Sequence, residues 1–197
     1  MSVLYFAYGS NMLTARMARR CPSARVFARA ALPGYGIAFS KIGRDGTGKV
    51  TLVASAGGPN AQAANEVAAS LAHGVIYELS AADIEILDKI EGRGRGYHRF
   101  EAVATILDGK QSEGVCANRI GVTTYIAEPG FLDTRLMPFD WYRDLVVAGA
   151  REHALPKPYR AMLEAQPITI DADLTRATRC EALDILAGLA AKLSGRG

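Results

Sequence analysis

The sequence predicts an α+β fold, a single domain with a largely antiparallel sheet. Two observations carry this. Apolar and β-branched runs bounded by glycine or polar turns fill the first two-thirds of the 197 residues, and helical spacing dominates the last third. No internal repeat or linker divides the chain.

The elements follow in order. Val3 to Tyr8 is a short apolar and aromatic run, the pattern of a buried strand. From Met12 a helix is predicted, because Leu13 and Met17 fall four apart while Arg16, Arg19 and Arg20 project elsewhere. Gly9-Ser10-Asn11 then makes a tight strand-to-helix turn, with Ser10 or Asn11 as the helix N-cap. Arg16, Arg19, Arg20, Arg25 and Arg29 read as the solvated face of this helix and its exit loop. GYGIAFSKIGRDGTGKVTLVASAGG reads as two strands joined by a glycine-rich turn, and residues 57–70 as a loop with one helical turn. A strand at Gly74–Leu79 and a short helix, SAADIEILDKIEG, come next. HRFEAVATIL and VCANRIGVTTYIA are two long strands. EPGFLDTRLMP is a loop. A helix in PFDWYRDLVVAGAREHALP stops at Leu155-Pro156, a short helix follows, and a final one runs over roughly residues 174–193.

Composition excludes several classes. A net charge of +3 without a dense basic stripe argues against nucleic acid as a partner. There is no run of 18 or more apolar residues for a membrane span and no secretory leader pattern. Cys21, Cys116 and Cys180 are odd in number and scattered, which fits a reducing cytoplasm. His73, His98 and His153 lack metal-ligand spacing. Gly43 to Lys49 has the glycine-lysine spacing of a P-loop. Val50 stands where that loop needs Ser or Thr, however, and a strand rather than a helix follows, so it reads as a hairpin turn.

Three features carry chemistry. The Gly9-Ser10-Asn11 turn directs backbone amides at the positive end of a helix, where an anion or oxyanion binds; equally, Gly9 serves only the bend and Asn11 only the cap. In SAADIEILDKIEG, Ser80 and Asp83 form a capping-box-like start and Gly92 a C′ stop. At about 100° per residue, Ile84, Leu87 and Ile90 share an apolar arc that includes Glu91. Asp88 lies at its edge, and Glu85 and Lys89 face solvent. Burial and the helix dipole would both raise the pKa of Glu91 toward that of a general base, unless the helix frays after Ile90 and exposes it. Tyr8, Tyr97, Tyr125 and Tyr142 sit at element edges, fit to line a polar pocket or to be ordinary core aromatics.

Taken together, Tyr5-Phe6-Ala7-Tyr8-Gly9-Ser10-Asn11-Met12 and Leu87-Asp88-Lys89-Ile90-Glu91-Gly92 resemble the signature turn and the acidic element of the γ-glutamylcyclotransferase family. The resemblance covers roughly residues 3–165 and takes in Tyr97, Tyr125 and Tyr142. It implies a mixed, mostly antiparallel barrel-like sheet with flanking helices over residues 1–168, and a C-terminal helical extension over 169–197. It further implies a cofactor-independent enzyme with no metal, acting on a small γ-glutamyl substrate, as a monomer or homodimer. Glu91 would be the catalytic acid/base, and Tyr5, Tyr8, Gly9, Ser10, Asn11, Tyr97, Tyr125 and Tyr142 would bind substrate. The Ser-Asn form of the turn resembles the branch acting on γ-glutamyl amino acids. The alternative is a non-catalytic protein using the same pocket to hold a γ-glutamyl compound or another small carboxylate.

Overall fold

An apolar first strand needs partners on both edges, and β1 (Ser2–Ala7) finds them in β5 (Ala72–Ser80), antiparallel, and β7 (Arg119–Ala127), parallel. With β2 (Arg25–Leu32) and β6 (Tyr97–Ile106) they close a barrel in the order β1-β5-β2-β6-β7. Closure removes the exposed sheet edge. The structure is a computed structural model that describes residues 2–55, 71–94, 96–108 and 118–194. The predicted loop at 57–70 and the start of the VCANRIGVTTYIA strand, with Cys116, lie outside the described residues.

β3 (Tyr35–Ile42) and β4 (Gly48–Ala54) form a separate antiparallel hairpin around the glycine-rich turn, as read from the sequence. Arg25 and Arg29 belong to β2, not to the exit loop that the sequence predicts. Alternation in RVFARAAL is broken by a register shift between Val26 and Ala28, which blurs the strand period.

α1 (Thr14–Arg20) starts later than predicted. Ser10–Met12 is a 3₁₀ turn, and neither Ser10 nor Asn11 caps α1. The Thr14 amide is capped instead by the distant Glu152 carboxylate, at 2.8 Å. α2 (Ala81–Glu91) behaves as read: the Ser80 hydroxyl accepts from the Asp83 amide, and Gly92 ends the helix in the left-handed region, φ 68°. Its inner face is Ile84 and Leu87, whereas Ile90 is 37% exposed and stands at the edge of a cavity.

α3 (Asp140–Glu152) packs directly on the Ser10–Met12 turn. The approach is close at Gly149, where a Cβ would lie 2.6 Å from the Leu13 amide nitrogen and 2.8 Å from Met12 Cβ. Gly149→Ala is therefore expected to destabilise the fold by about 1–3 kcal/mol in urea unfolding, because the overpacking cost exceeds the roughly 1 kcal/mol of helix propensity gained. Unchanged stability would show that the two segments are not held at this distance. α4 (Lys157–Glu164) and α5 (Ala177–Ser194) complete the chain. Ala182 and Ile185 bury α5, and Trp141 Nε1 donates to Asp171 at 2.9 Å, tying the segment before α5 to α3. Among the described residues no helix is long and apolar enough to cross a membrane.

Candidate active site

β1 delivers the Tyr8-Gly9-Ser10-Asn11 turn to one end of the barrel, and α2 delivers Glu91 to the same place. They meet across 80 positions: Asn11 Nδ2 donates to Glu91 Oε1 at 3.2 Å and to the Tyr5 hydroxyl at 3.0 Å. Arg20 completes the group, donating from Nη1 to Asn11 Oδ1 at 2.9 Å and standing 3.4 Å from Glu91 Oε1. The Glu91 side chain is 17% exposed. A cavity of about 650 Å³ opens over this group, and every residue predicted for the site lines it: Tyr5, Tyr8, Gly9, Ser10, Asn11, Glu91, Tyr97, Tyr125 and Tyr142.

Within the turn, the Met12 amide bonds Gly9 O at 2.9 Å and the Leu13 amide bonds Ser10 O at 3.4 Å. The Ser10 and Asn11 amides come first in the turn and have no acceptor inside it. Gly9 is required by space rather than by dihedral angle. Its φ is negative, −114°, but a Cβ would lie 2.5 Å from Val50 Cγ1.

The tyrosines divide by what their hydroxyl hydrogens do. Tyr8 donates to Tyr125 O at 2.6 Å, Tyr97 to Val50 O at 2.7 Å, and Tyr125 to Asp88 Oδ1 at 2.8 Å. These three hold β4, β7 and α2 around the cavity. Tyr5 and Tyr142 instead accept, from Asn11 and from the Val50 amide at 3.3 Å, so each keeps its own hydrogen for another acceptor. Burial, reinforced by the Glu91 charge, pushes Tyr5 and Tyr8 well above the ordinary phenol range, and burial against a bond from Val50 brings Tyr142 to about 12. All are neutral donors or acceptors near neutral pH, not bases.

Sequence reading missed several cavity residues. Arg16 and Arg20 are not on a solvated face. Both line the cavity, while Arg19 on the same helix does lie outward. Lys41 comes from β3, Arg44 and Asp45 from the β3–β4 turn, Lys49 from β4, Trp141 from α3, and Arg176 and Thr178 from the C-terminal segment. Asp45 organises the hairpin by accepting from Thr47 and from Lys49 Nζ at 2.7 Å. The P-loop-like spacing of Gly43 to Lys49 is the one local signal at this loop, and it says nothing of where the cations point.

Asp88 is also more than an edge carboxylate. It accepts from Arg99 Nε at 2.7 Å and Nη2 at 2.6 Å, from Arg93 at 3.1 Å and from Tyr125, fixing the end of α2 to the barrel. Burial opposes its charge, but the bonds from Arg99 and Tyr125 prevail and hold its carboxyl below the ordinary range. A depressed folded pKa contributes stability above the unfolded value, near 3.9, that is lost as pH falls through the folded one. Asp88→Asn is expected to cost about 1–3 kcal/mol at pH 7. In denaturant titrations that deficit should narrow below about pH 4. A deficit constant across that range would dissociate it from the carboxylate.

Residues 72–163 match a family model described as the AIG2-like family. The chain is 30% identical to γ-glutamylcyclotransferase of Homo sapiens over 169 residues, covering 83% of this chain and 78% of that protein. It is 30% identical to the Mus musculus γ-glutamylcyclotransferase over 167 residues, covering 82% and 77%. A solved structure described as a gamma-glutamyl cyclotransferase superposes with a TM-score of 0.76 at 25% identity, over 95% of this chain and 99% of that one. At this identity and coverage, the chain belongs to the γ-glutamylcyclotransferase family of enzymes.

Proposed function

We propose that the protein releases 5-oxoproline from a γ-glutamyl amino acid or γ-glutamyl amine, with Glu91 as the acid/base. The observation that carries this is the meeting of the Glu91 carboxylate with Asn11 of the turn. The substrate contains its own nucleophile. Its α-amine attacks the γ-carbonyl, a C–N bond closes the five-membered ring, the original amide C–N bond breaks, and the amine leaves. Holding the chain folded supplies much of the acceleration, about 7 kcal/mol or more in favourable cases. Glu91 takes one proton from the α-ammonium before attack and a second from the ring nitrogen after it, and passes both to the leaving nitrogen, which departs as an ammonium, so no proton is gained or lost overall. The Ser10 and Asn11 amides hold the α-carboxylate or the oxyanion, and the free hydroxyl hydrogens of Tyr5 and Tyr142 add neutral donors for the same charge. Asn11 and Arg20 hold the Glu91 carboxylate in place.

The test is product release from purified protein offered a panel of γ-glutamyl amino acids, γ-glutamyl amines and glutathione. 5-Oxoproline appearing with the free amine is the expected result. Binding without release would instead leave a protein that senses these compounds, and the reaction would be withdrawn.

A further inference from the structure

Two buried cations of the cavity lack a hydrogen-bonded carboxylate. Arg16 on α1 is 4% exposed, and its Nε and Nη1 atoms are buried without a hydrogen-bond partner among the described residues. Its ion-pair neighbour Glu181 stands 3.9 Å away, beyond hydrogen-bond reach. Lys41 on β3 is 8% exposed, and among the described residues it pairs with no carboxylate; its Nζ lies 4.9 Å over the Tyr97 ring. Lys49, already paired with Asp45 at 2.7 Å, carries a like charge toward both. Burial lowers the pKa of all three, Arg16 to about 10; it prevails over the opposing charges of Glu91 and Asp45 at Lys41 and of Glu181 and Glu91 at Arg16, none of which is hydrogen-bonded to either cation. A buried charge without a hydrogen-bonded counter-ion is costly to fold, so an anion from outside the chain is the missing partner.

The γ-glutamyl half of the proposed substrate does not supply it. Its α-carboxylate goes to the turn and its α-ammonium to Glu91. Of the other cations lining the cavity, Arg20 is held by Asn11 and Glu91, Arg176 by Asp171 at 2.7 Å and Lys49 by Asp45, while Arg44 is exposed and solvated. The surplus anion therefore belongs to the leaving amine. A neutral amine would match neither cation, and a simple amino acid only one.

We propose that the leaving amine is an acidic amino acid whose two carboxylates meet Arg16 and Lys41. This rests on the cyclotransferase reading above and names its substrate class. The test compares γ-glutamyl-glutamate, γ-glutamyl-alanine and γ-glutamyl-isopropylamine, whose leaving amines carry two, one and no negative charges. The expected kcat/KM falls about tenfold or more with each charge removed. Lys41→Met and Arg16→Met should each abolish the advantage of the glutamate compound over the alanine one. Arg16→Met should also raise Tm, by roughly 2–4 °C for each kcal/mol of buried-charge cost relieved; a lowered Tm would mark Arg16 as structural. If Arg16→Met does not fold, Lys41→Met decides. Equal kcat/KM for the glutamate and alanine compounds, or a ratio unmoved by Lys41→Met, overturns the subsite while the reaction stands. Calorimetric affinities of the three compounds for Glu91→Gln separate the two readings. If affinity keeps the same order but wild type releases no 5-oxoproline from any compound, the subsite holds and the reaction falls.

Discussion

Glu91→Gln is expected to lower turnover by about 10²- to 10⁴-fold, at or beyond the upper end, because one residue performs both proton transfers. An amide can neither accept the α-ammonium proton nor return one to the leaving amine. The fold should be unaffected. Glutamine keeps an Oε1 acceptor for Asn11 Nδ2 and Arg20 Nη1, and it removes a negative charge from a helix C-terminus, a gain of about 0.5 kcal/mol. That gain is offset by the loss of the charged partner of Arg20, so stability should stay within about 1 kcal/mol of wild type. Asp88 would be a poor control because its carboxylate anchors α2. Glu85→Gln is better: it lies on the same helix, is exposed, and should leave activity unchanged. Activity of Glu91→Gln within tenfold of wild type would remove Glu91 from the chemistry.

Gly9→Ala should be the next most damaging change. The added methyl meets Val50 Cγ1 at 2.5 Å, and Val50 cannot easily yield: its carbonyl accepts from Tyr97 and its amide donates to Tyr142. The turn must move instead, carrying the Asn11 side chain away from Glu91. A displacement near 1 Å costs about 10²-fold in rate, and the overpacking about 1–3 kcal/mol in stability. Val50→Ala deletes the obstructing methyl, so the double variant should recover activity relative to Gly9→Ala alone. Kinetics on the two singles and the double check this; no recovery would mean that Gly9 matters for another reason.

The sequence was most legible where local rules act. The Ser80 cap, the Gly92 stop and the inward Ile84 and Leu87 need only helix geometry, and the hairpin at residues 43–49 needs only its turn residues and the strand that follows. It was least legible where the partner of a side chain comes from elsewhere in the chain. Asn11 looks like a helix cap because the positions of Tyr5, Arg20 and Glu91 around it are tertiary facts. Arg16 and Arg20 look solvated because one helix cannot show that other elements cover it. Asp88 looks idle for the same reason: Arg99 and Tyr125 reach it from β6 and β7. Ile90 fits an apolar arc on paper but sits where the core gives way to the cavity.

The most direct test of the central claim is the identity of the product from a single γ-glutamyl amino acid. Wild-type protein and γ-glutamyl-glutamate should give 5-oxoproline and free glutamate in equal amounts, with Glu91→Gln giving neither at a comparable rate. Two glutamates per substrate, with no 5-oxoproline, would mean that water rather than the α-amine attacks the γ-carbonyl, and would contradict the account.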